Sequence, residues 1–193
     1  MELPFLNVSD ETLISKALDG SQRSWERLVR RHETMVYNYC VRMTRDSSDA
    51  GDLLQEVFLA VYRHLPSYRG QGQFKGWMMR IAVNKTMDLL RQRQRSPRLS
   101  TDDAAGEAVL EWQAPDHHNP DQVYEQITNN RRIHMLLQAL PPEQRLVVEL
   151  KFFQHCTFEE IAIQTSCPVN TVKTRLYTSL QKLKDTLEES HVM

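Results

Sequence analysis

Wherever this chain is patterned, its apolar residues recur every three or four positions, and nowhere do they alternate with polar ones over a strand's length. That period confines the fold to packed helices, each burying one stripe. Residues 9–19 predict a short amphipathic helix that turns at Gly20. Residues 21–44 place Trp25, Leu28, Val29, Met35, Val36, Tyr39, Cys40 and Met43 at helical spacing. The polar run Arg45-Asp-Ser-Ser-Asp-Ala-Gly51 offers N-caps to a third helix over about 51–65. There Leu53, Val57, Val61 and Leu65 form one stripe with Leu54 and Phe58 beside it, and Pro66 ends the helix. A loop over 67–73 leads to a long helix over about 74–94. This helix turns Phe74, Trp77, Met78, Ile81, Ala82 and Leu89 inward and finishes in the basic Arg91-Gln-Arg-Gln-Arg95.

From Ser96 to about Asp121 the period is lost among Pro97, Gly106, Pro115, Pro120 and paired acids, which predicts a flexible acidic linker with a helical fragment near 104–112. Helices resume over about 122–139, over 143–154 after the Pro141-Pro142 stop, and in two shorter segments beyond. The fold class is therefore all-α. Two small helical domains, 1–95 and 122–193, are joined by the linker 96–121, and the C-terminal one contains a helix-turn-helix.

The formal charge of −1 hides a segregation. Residues 1–98 carry a net +5, residues 99–127 a net −7 with no Lys or Arg, and residues 128–193 a net +1. A near-neutral total therefore does not exclude a nucleic-acid partner. Cys40, Cys156 and Cys167 are odd in number and scattered, which predicts free thiols in a reducing compartment. His155 and Cys156 with Cys167 match no common metal-ligand spacing. With no Gly-rich phosphate loop and no nucleophile elbow either, a non-enzymatic protein without metal or cofactor is expected. No apolar run approaches the roughly 20 residues of a membrane span, and Met1-Glu-Leu-Pro lacks the basic start of a signal peptide. A cytoplasmic location without membrane insertion is expected.

Thr157-Phe-Glu-Glu-Ile-Ala-Ile-Gln-Thr-Ser-Cys-Pro-Val-Asn-Thr-Val-Lys-Thr-Arg-Leu-Tyr177 reads as two short helices around a tight turn. Thr157 and Glu160 make a capping box, and Ile161 and Ala162 face inward. Pro168 suits the first position of the second helix, where a missing N–H is harmless. Val169, Val172, Leu176, Leu180 and Leu183 predict its buried stripe. Asn170, Thr171, Lys173, Thr174 and Tyr177 then fall largely outward. Amides and hydroxyls suit base edges, while Lys173 and Arg175 suit phosphates. The same pattern also suits a solvated face on an ordinary helical hairpin.

Three further strings are more specific: Asp52-Leu-Leu-Gln-Glu-Val-Phe-Leu-Ala-Val-Tyr-Arg-His-Leu65, Ser67-Tyr-Arg-Gly-Gln-Gly-Gln-Phe-Lys-Gly-Trp-Met-Met-Arg-Ile-Ala-Val-Asn-Lys85, and Leu140-Pro-Pro-Glu-Gln-Arg145. Together with the helix-turn-helix, they resemble the extracytoplasmic-function (group 4) class of bacterial RNA polymerase sigma factors, compact members that hold only regions two and four. The resemblance covers nearly the whole chain except the linker. It implies a protein that binds core RNA polymerase, through the β′ clamp helices and the β subunit, recognises two promoter DNA elements and helps open the duplex. It also implies regulation of a stress or envelope response by an anti-sigma factor wedged between the domains.

At residue level the resemblance gives Asp52, Gln55, Glu56, Leu59 and Arg63 to polymerase docking. Tyr68, Arg69, Lys75, Trp77, Arg80, Asn84, Lys85 and Arg91 fall to the minus-ten element, with Asn84 at a pocket for a flipped base and Arg93 and Arg95 as further cations. Trp77, beside Met78 and Ile81, suits the core as well as a wedge between separating bases. Asn170, Thr171, Lys173, Thr174, Arg175, Tyr177 and Thr178 fall to the minus-thirty-five element. Asn170 stands where the family often has Gly, and Thr178 and Leu180 where many members have Arg. Weaker phosphate binding or a shifted base preference is expected there. A helix-turn-helix regulator that acts without replacing sigma is the alternative, and it leaves the 52–85 strings unexplained.

Overall fold

The computed structural model describes residues 8–44, 47–70, 73–95 and 132–191. The expected linker 96–121, its fragment near 104–112 and residues 122–131 of the next helix lie outside them. Among the described residues every regular element is helical.

Helix α1 (Asp10–Leu18) starts on Ser9, whose side chain accepts from Thr12 N, with Asp10 and Glu11 favourably placed in the first turn of the helix dipole. It ends in a Schellman turn: Ser21 N donates to Lys16 O and Gly20 N to Ala17 O. Gly20 takes φ +92°, which a side chain would oppose. Helix α2 (Gln22–Met43) begins on Ser21 and runs through the middle of the N-terminal half. Asp10 accepts from Arg31 Nη1 at 2.6 Å and lies 2.8 Å from His32 Nε2, pinning α1 to α2.

Helix α3 (Ser47–His64) begins four residues earlier than the apolar stripe predicts. Asp49 sits in its first turn and pairs with Arg93 of α4 (Phe74–Arg95), so an ion pair across two helices secures that extra turn. Leu53, Val57, Val61 and Leu65 are buried as the stripe predicts, and Leu65 opens a 3-10 turn through Pro66 to Ser67. Tyr39 is wholly buried, and its hydroxyl donates to Thr86 Oγ1 at 3.0 Å, which joins α2 to α4.

In the C-terminal half, α5 (132–138) leads through Pro141 to α6 (Pro142–Val148). The expected continuation to 154 exists as a π-helical turn, Glu149–Phe153. Helix α7 (Phe158–Thr165) carries the expected capping box, with Thr157 N donating to Glu160 Oε2 at 2.7 Å and Glu160 N to Thr157 Oγ1 at 3.2 Å. Ser166 in the left-handed region closes it, and α8 (Val169–His191) follows, with Pro168 just before its first turn.

The halves pack directly on one another, and buried residues from both form one contiguous core. Arg145, 3% exposed, donates to Met43 O at 3.1 Å across the junction and to Leu140 O at 3.1 Å within its own half.

The three thiols are free. Burial, with Glu149 nearby, pushes the Cys40 thiol up to about 12 from an ordinary 9.0. At pH 8 its thiolate population is therefore about a thousandfold below that of an ordinary cysteine. Iodoacetamide at pH 8 is expected to spare Cys40 in the native chain and to label it once denaturant unfolds it; native labelling read by mass spectrometry would contradict this burial. The folded state holds this proton more tightly than the unfolded chain does. Its contribution to stability is therefore complete below pH 9 and lost as pH rises from there towards 12.

Candidate nucleic-acid interface

On α3 the steps of three and four that carry Leu53, Val57 and Val61 inward carry a second stripe outward. Asp52, Gln55, Glu56, Leu59 and Arg63 are all exposed. Leu59 is 50% exposed, and beside it Tyr62 is 58% exposed with its ring edge-on to Trp25 at 5.1 Å. An apolar centre rimmed by carboxylates and an arginine suits a protein partner better than a nucleic acid. Tyr62 escaped the sequence reading; its place three residues after Leu59 was the available signal.

Where α3 hands over to α4, Tyr68, Phe74 and Trp77 form an aromatic group. Tyr68 lies 5.5 Å from Phe74 and 5.2 Å from Trp77, Phe74 lies 5.6 Å from Trp77, and His32 stands edge-on to Phe74 at 5.4 Å. Phe74 is buried at the base, while Tyr68 and Trp77 are half-buried. Trp77 thus both packs into the fold and shows part of its ring. Burial raises the Tyr68 hydroxyl above its ordinary value, helped by Glu11 and Asp10, so the ring stays neutral at physiological pH.

Trp77, Arg80, Asn84 and Arg91 share one face of α4, with the last three exposed. Arg69 is exposed in the preceding loop, and Lys75 and Lys85 are half-buried. Lys85 Nζ lies 3.0 Å from Glu56 Oε2, so the α3 stripe and the α4 cations meet at an ion pair. Arg91 lies 3.5 Å from Asp88. Arg93 is held by Asp49 as a tie between helices, and nothing is described of the Arg95 side chain. Aromatic faces, an exposed amide and cations on one surface are what an unstacked strand requires.

On α8, Asn170, Lys173, Thr174, Tyr177 and Thr178 are exposed and Thr171 is half-buried. Lys173 Nζ stands 5.5 Å from the centre of the Phe158 ring, which keeps the cation near the start of α7. Arg175 is turned inward: it pairs with Glu143 on α6 and lies 3.3 Å from Cys167 Sγ. The expected burial of Leu180 is corrected by the structure. Leu180 is 38% exposed, and Ser179 is buried in its stead, its hydroxyl donating to Arg175 O at 2.6 Å. At 3.6 residues per turn, residue 180 lies about 80° round the helix from Val172, whereas 179 lies within about 20° of it. The buried stripe is Val172, Leu176 and Ser179, with Val169 and Leu183 half-buried beside it.

The outer ends of these two surfaces approach one another. Met87 and Arg91 of α4 face Glu143, Leu146, Cys167 and Arg175 across a cleft of about 230 Å³. Among the described residues, no group of three or more His, Cys, Asp or Glu side chains could hold a metal ion, and no helix is long and apolar enough to cross a membrane.

Comparison with known proteins matches both halves. The family profile described as Sigma-70 region 2 fits residues 28–96, and that described as Sigma-70, region 4 fits residues 130–183. The chain is 29% identical over 181 residues to the RNA polymerase sigma-H factor of Pseudomonas aeruginosa, covering 93% of this chain and 94% of that one. It is 34% identical over 164 residues to the ECF RNA polymerase sigma factor SigE of Mycolicibacterium smegmatis, covering 85% of this chain and 62% of the relative. Against the ECF RNA polymerase sigma-E factor of Escherichia coli K12 it is 29% identical over 188 residues, covering 94% and 95%. Among solved structures, the fold is similar to that of CnrH in complex with the cytosolic domain of CnrY, with a TM-score of 0.62, 22% identity and coverage of 93% and 97%. It is similar also to that of the sigma factor RpoE in complex with the anti-sigma factor NepR from Bartonella quintana, with a TM-score of 0.62, 18% identity and coverage of 86% and 98%.

Proposed function

The chain belongs to the sigma-70 family, in its extracytoplasmic-function class, and from that membership we propose that it binds core RNA polymerase and directs initiation at promoters with two recognised elements. In this reading residues 1–95 dock on the polymerase and handle the minus-ten element, residues 122–193 read the minus-thirty-five element, and 96–121 connect them. The observation that carries it is the pairing, in one N-terminal half, of the outward stripe of α3 with the amide, cations and aromatic rings of α4. A DNA-binding regulator needs no such stripe beside its DNA surface.

In the docking step Asp52, Gln55, Glu56 and Arg63 supply charge and amide contacts round Leu59, towards the β′ clamp helices, and the C-terminal half engages the β subunit. In opening, the Tyr68 and Trp77 rings and the Asn84 amide hold non-template bases that only a separated strand presents. Arg69, Lys75, Arg80, Lys85 and Arg91 neutralise phosphates along the way. On α8, Asn170, Thr171, Thr174, Tyr177 and Thr178 face base edges and Lys173 the backbone, while Arg175 must first leave Glu143. An anti-sigma factor completes the scheme as the partner that keeps the protein from polymerase, and a stress or envelope signal releases it. No step calls for catalysis by the chain itself.

Run-off transcription with core polymerase and a library of promoters tests the proposal. Binding to duplex DNA alone, with no transcript from any promoter, would reject it in favour of an ordinary regulator. Asp52→Lys places a cation on the docking stripe and is expected to weaken core binding by about tenfold or more, read by fluorescence anisotropy. Unchanged affinity would move the docking face elsewhere.

A further inference from the structure

Helix α1 lies before residues 28–96, the span that fits the region 2 profile, yet its start reaches the aromatic group where α3 hands over to α4. Asp10, Leu13, Ile14 and Ala17 follow one another at steps of three and four and so share a face. Leu13 and Ile14 are buried on it, which puts a carboxylate at the head of an apolar stripe. The Ser9 cap fixes where the helix begins and hence where that carboxylate stands. Its Oδ1 accepts from Arg31 Nη1 at 2.6 Å, and Arg31 Nη2 donates to Val8 O at 2.6 Å. Its Oδ2 lies 2.8 Å from Nε2 of His32, which is buried. His32 in turn stands edge-on to Phe74, the buried floor on which the Tyr68 and Trp77 rings rest. Glu11 and Asp10 also act on the Tyr68 hydroxyl through their charge, so the start of α1 lies beside that ring.

Arg31 by itself would dock α1 on α2. The contact with His32 does something further: it holds an imidazole whose edge sets the position of Phe74. A base gains from stacking to the extent that the ring it meets is already in place. Ordering a loose ring at the moment of capture costs conformational entropy. Tyr68 and Trp77 are only half-buried, so they are held by one another and from below, through Phe74.

We propose that Asp10 and His32 are positioning residues for base capture: the chain Asp10–His32–Phe74 holds the Tyr68 and Trp77 rings in the orientation that a separated minus-ten strand requires. The two act through the rings and not by contact with DNA. The consequence for promoter opening rests on the proposed function, whereas the bracing of the rings belongs to the fold.

The test uses the full chain bound to core polymerase and a labelled single-stranded oligonucleotide, the non-template minus-ten segment of a promoter active in the run-off library. Asp10→Ala should weaken capture of the oligonucleotide by about three- to tenfold, part of what losing one stacked base costs, with core affinity within about twofold. His32→Ala, on the other helix, should give the same loss even if Asp10→Ala loses helical content. The double variant should lose no more than the larger single loss, because the two residues act in series. In a Trp77→Ala background the Asp10→Ala loss should vanish, whereas a general weakening of the fold would persist there. A chain with Trp25→Phe and Trp112→Phe keeps Trp77 as its one tryptophan. In that chain Asp10→Ala should shift the emission to longer wavelength and raise its quenching by acrylamide. Unchanged capture in both single variants, or an Asp10→Ala loss of the same size without Trp77, overturns the proposal. No capture by the wild-type holoenzyme would instead reject the proposed function. The Trp77 emission then decides the brace, and an unchanged spectrum and quenching would overturn it.

Discussion

Replacing Asn84 by alanine is expected to slow promoter opening by roughly five- to a hundredfold while leaving affinity for core polymerase within about twofold. An amide that meets a base edge with two hydrogen bonds discriminates by about 1–3 kcal/mol, and that sets the range. The side chain is exposed on the same face of α4 as Arg80 and Arg91 and holds up no part of the core. Alanine is moreover the better helix former, so the fold should not suffer. The stripe we propose for docking lies on α3, so binding of the enzyme and opening of the duplex should separate cleanly. Opening followed by permanganate reactivity of thymines near the start site, against core affinity measured in parallel, is the check. Equal opening by mutant and wild type across promoters would remove Asn84 from the base pocket.

The second large effect is on stability. Arg145→Ala should cost about 3–5 kcal/mol and lower the melting temperature by roughly 10 °C. The guanidinium is buried and donates to Met43 O, Gln138 O and Leu140 O at 3.1, 3.3 and 3.1 Å, two of them on its own half and one at the end of α2. Truncation leaves carbonyls without a donor and a void where the side chain ran. Arg145→Lys keeps the charge but not the planar fork, so it should fall between. Differential scanning calorimetry decides the matter: a loss of 2 °C or less for Arg145→Ala would mean that water replaces the guanidinium without penalty.

Much of the N-terminal half was legible because its pattern is local. The stripe Leu53, Val57, Val61, Leu65 needs only 3.6 residues per turn to declare itself, and its complement, Asp52 to Arg63, then follows as the outward face. The capping box at Thr157 and Glu160 is likewise a contact over three residues. The failures are of another kind. Leu180 was assigned to the buried stripe because its type is apolar, yet the helix turns Ser179 inward. The start of α3 at Ser47 depends on Arg93, more than forty residues away. The carboxylate of Glu143 on α6 that pairs with Arg175 was equally out of reach of the local sequence.

Spacing and motif, then, were sufficient for an all-helical chain, for the boundaries of most helices to within a turn, and for the family to which it belongs. Helical phase is set by bonds between neighbours, and the sequence lists neighbours. What only the tertiary structure decided is how the halves meet. Sequence described two domains on a tether, and nothing in Arg42 or Glu149 read alone announces a partner 107 residues distant. Burying a charge costs free energy in proportion to the water it loses, and that quantity exists only once the surrounding helices have closed over it.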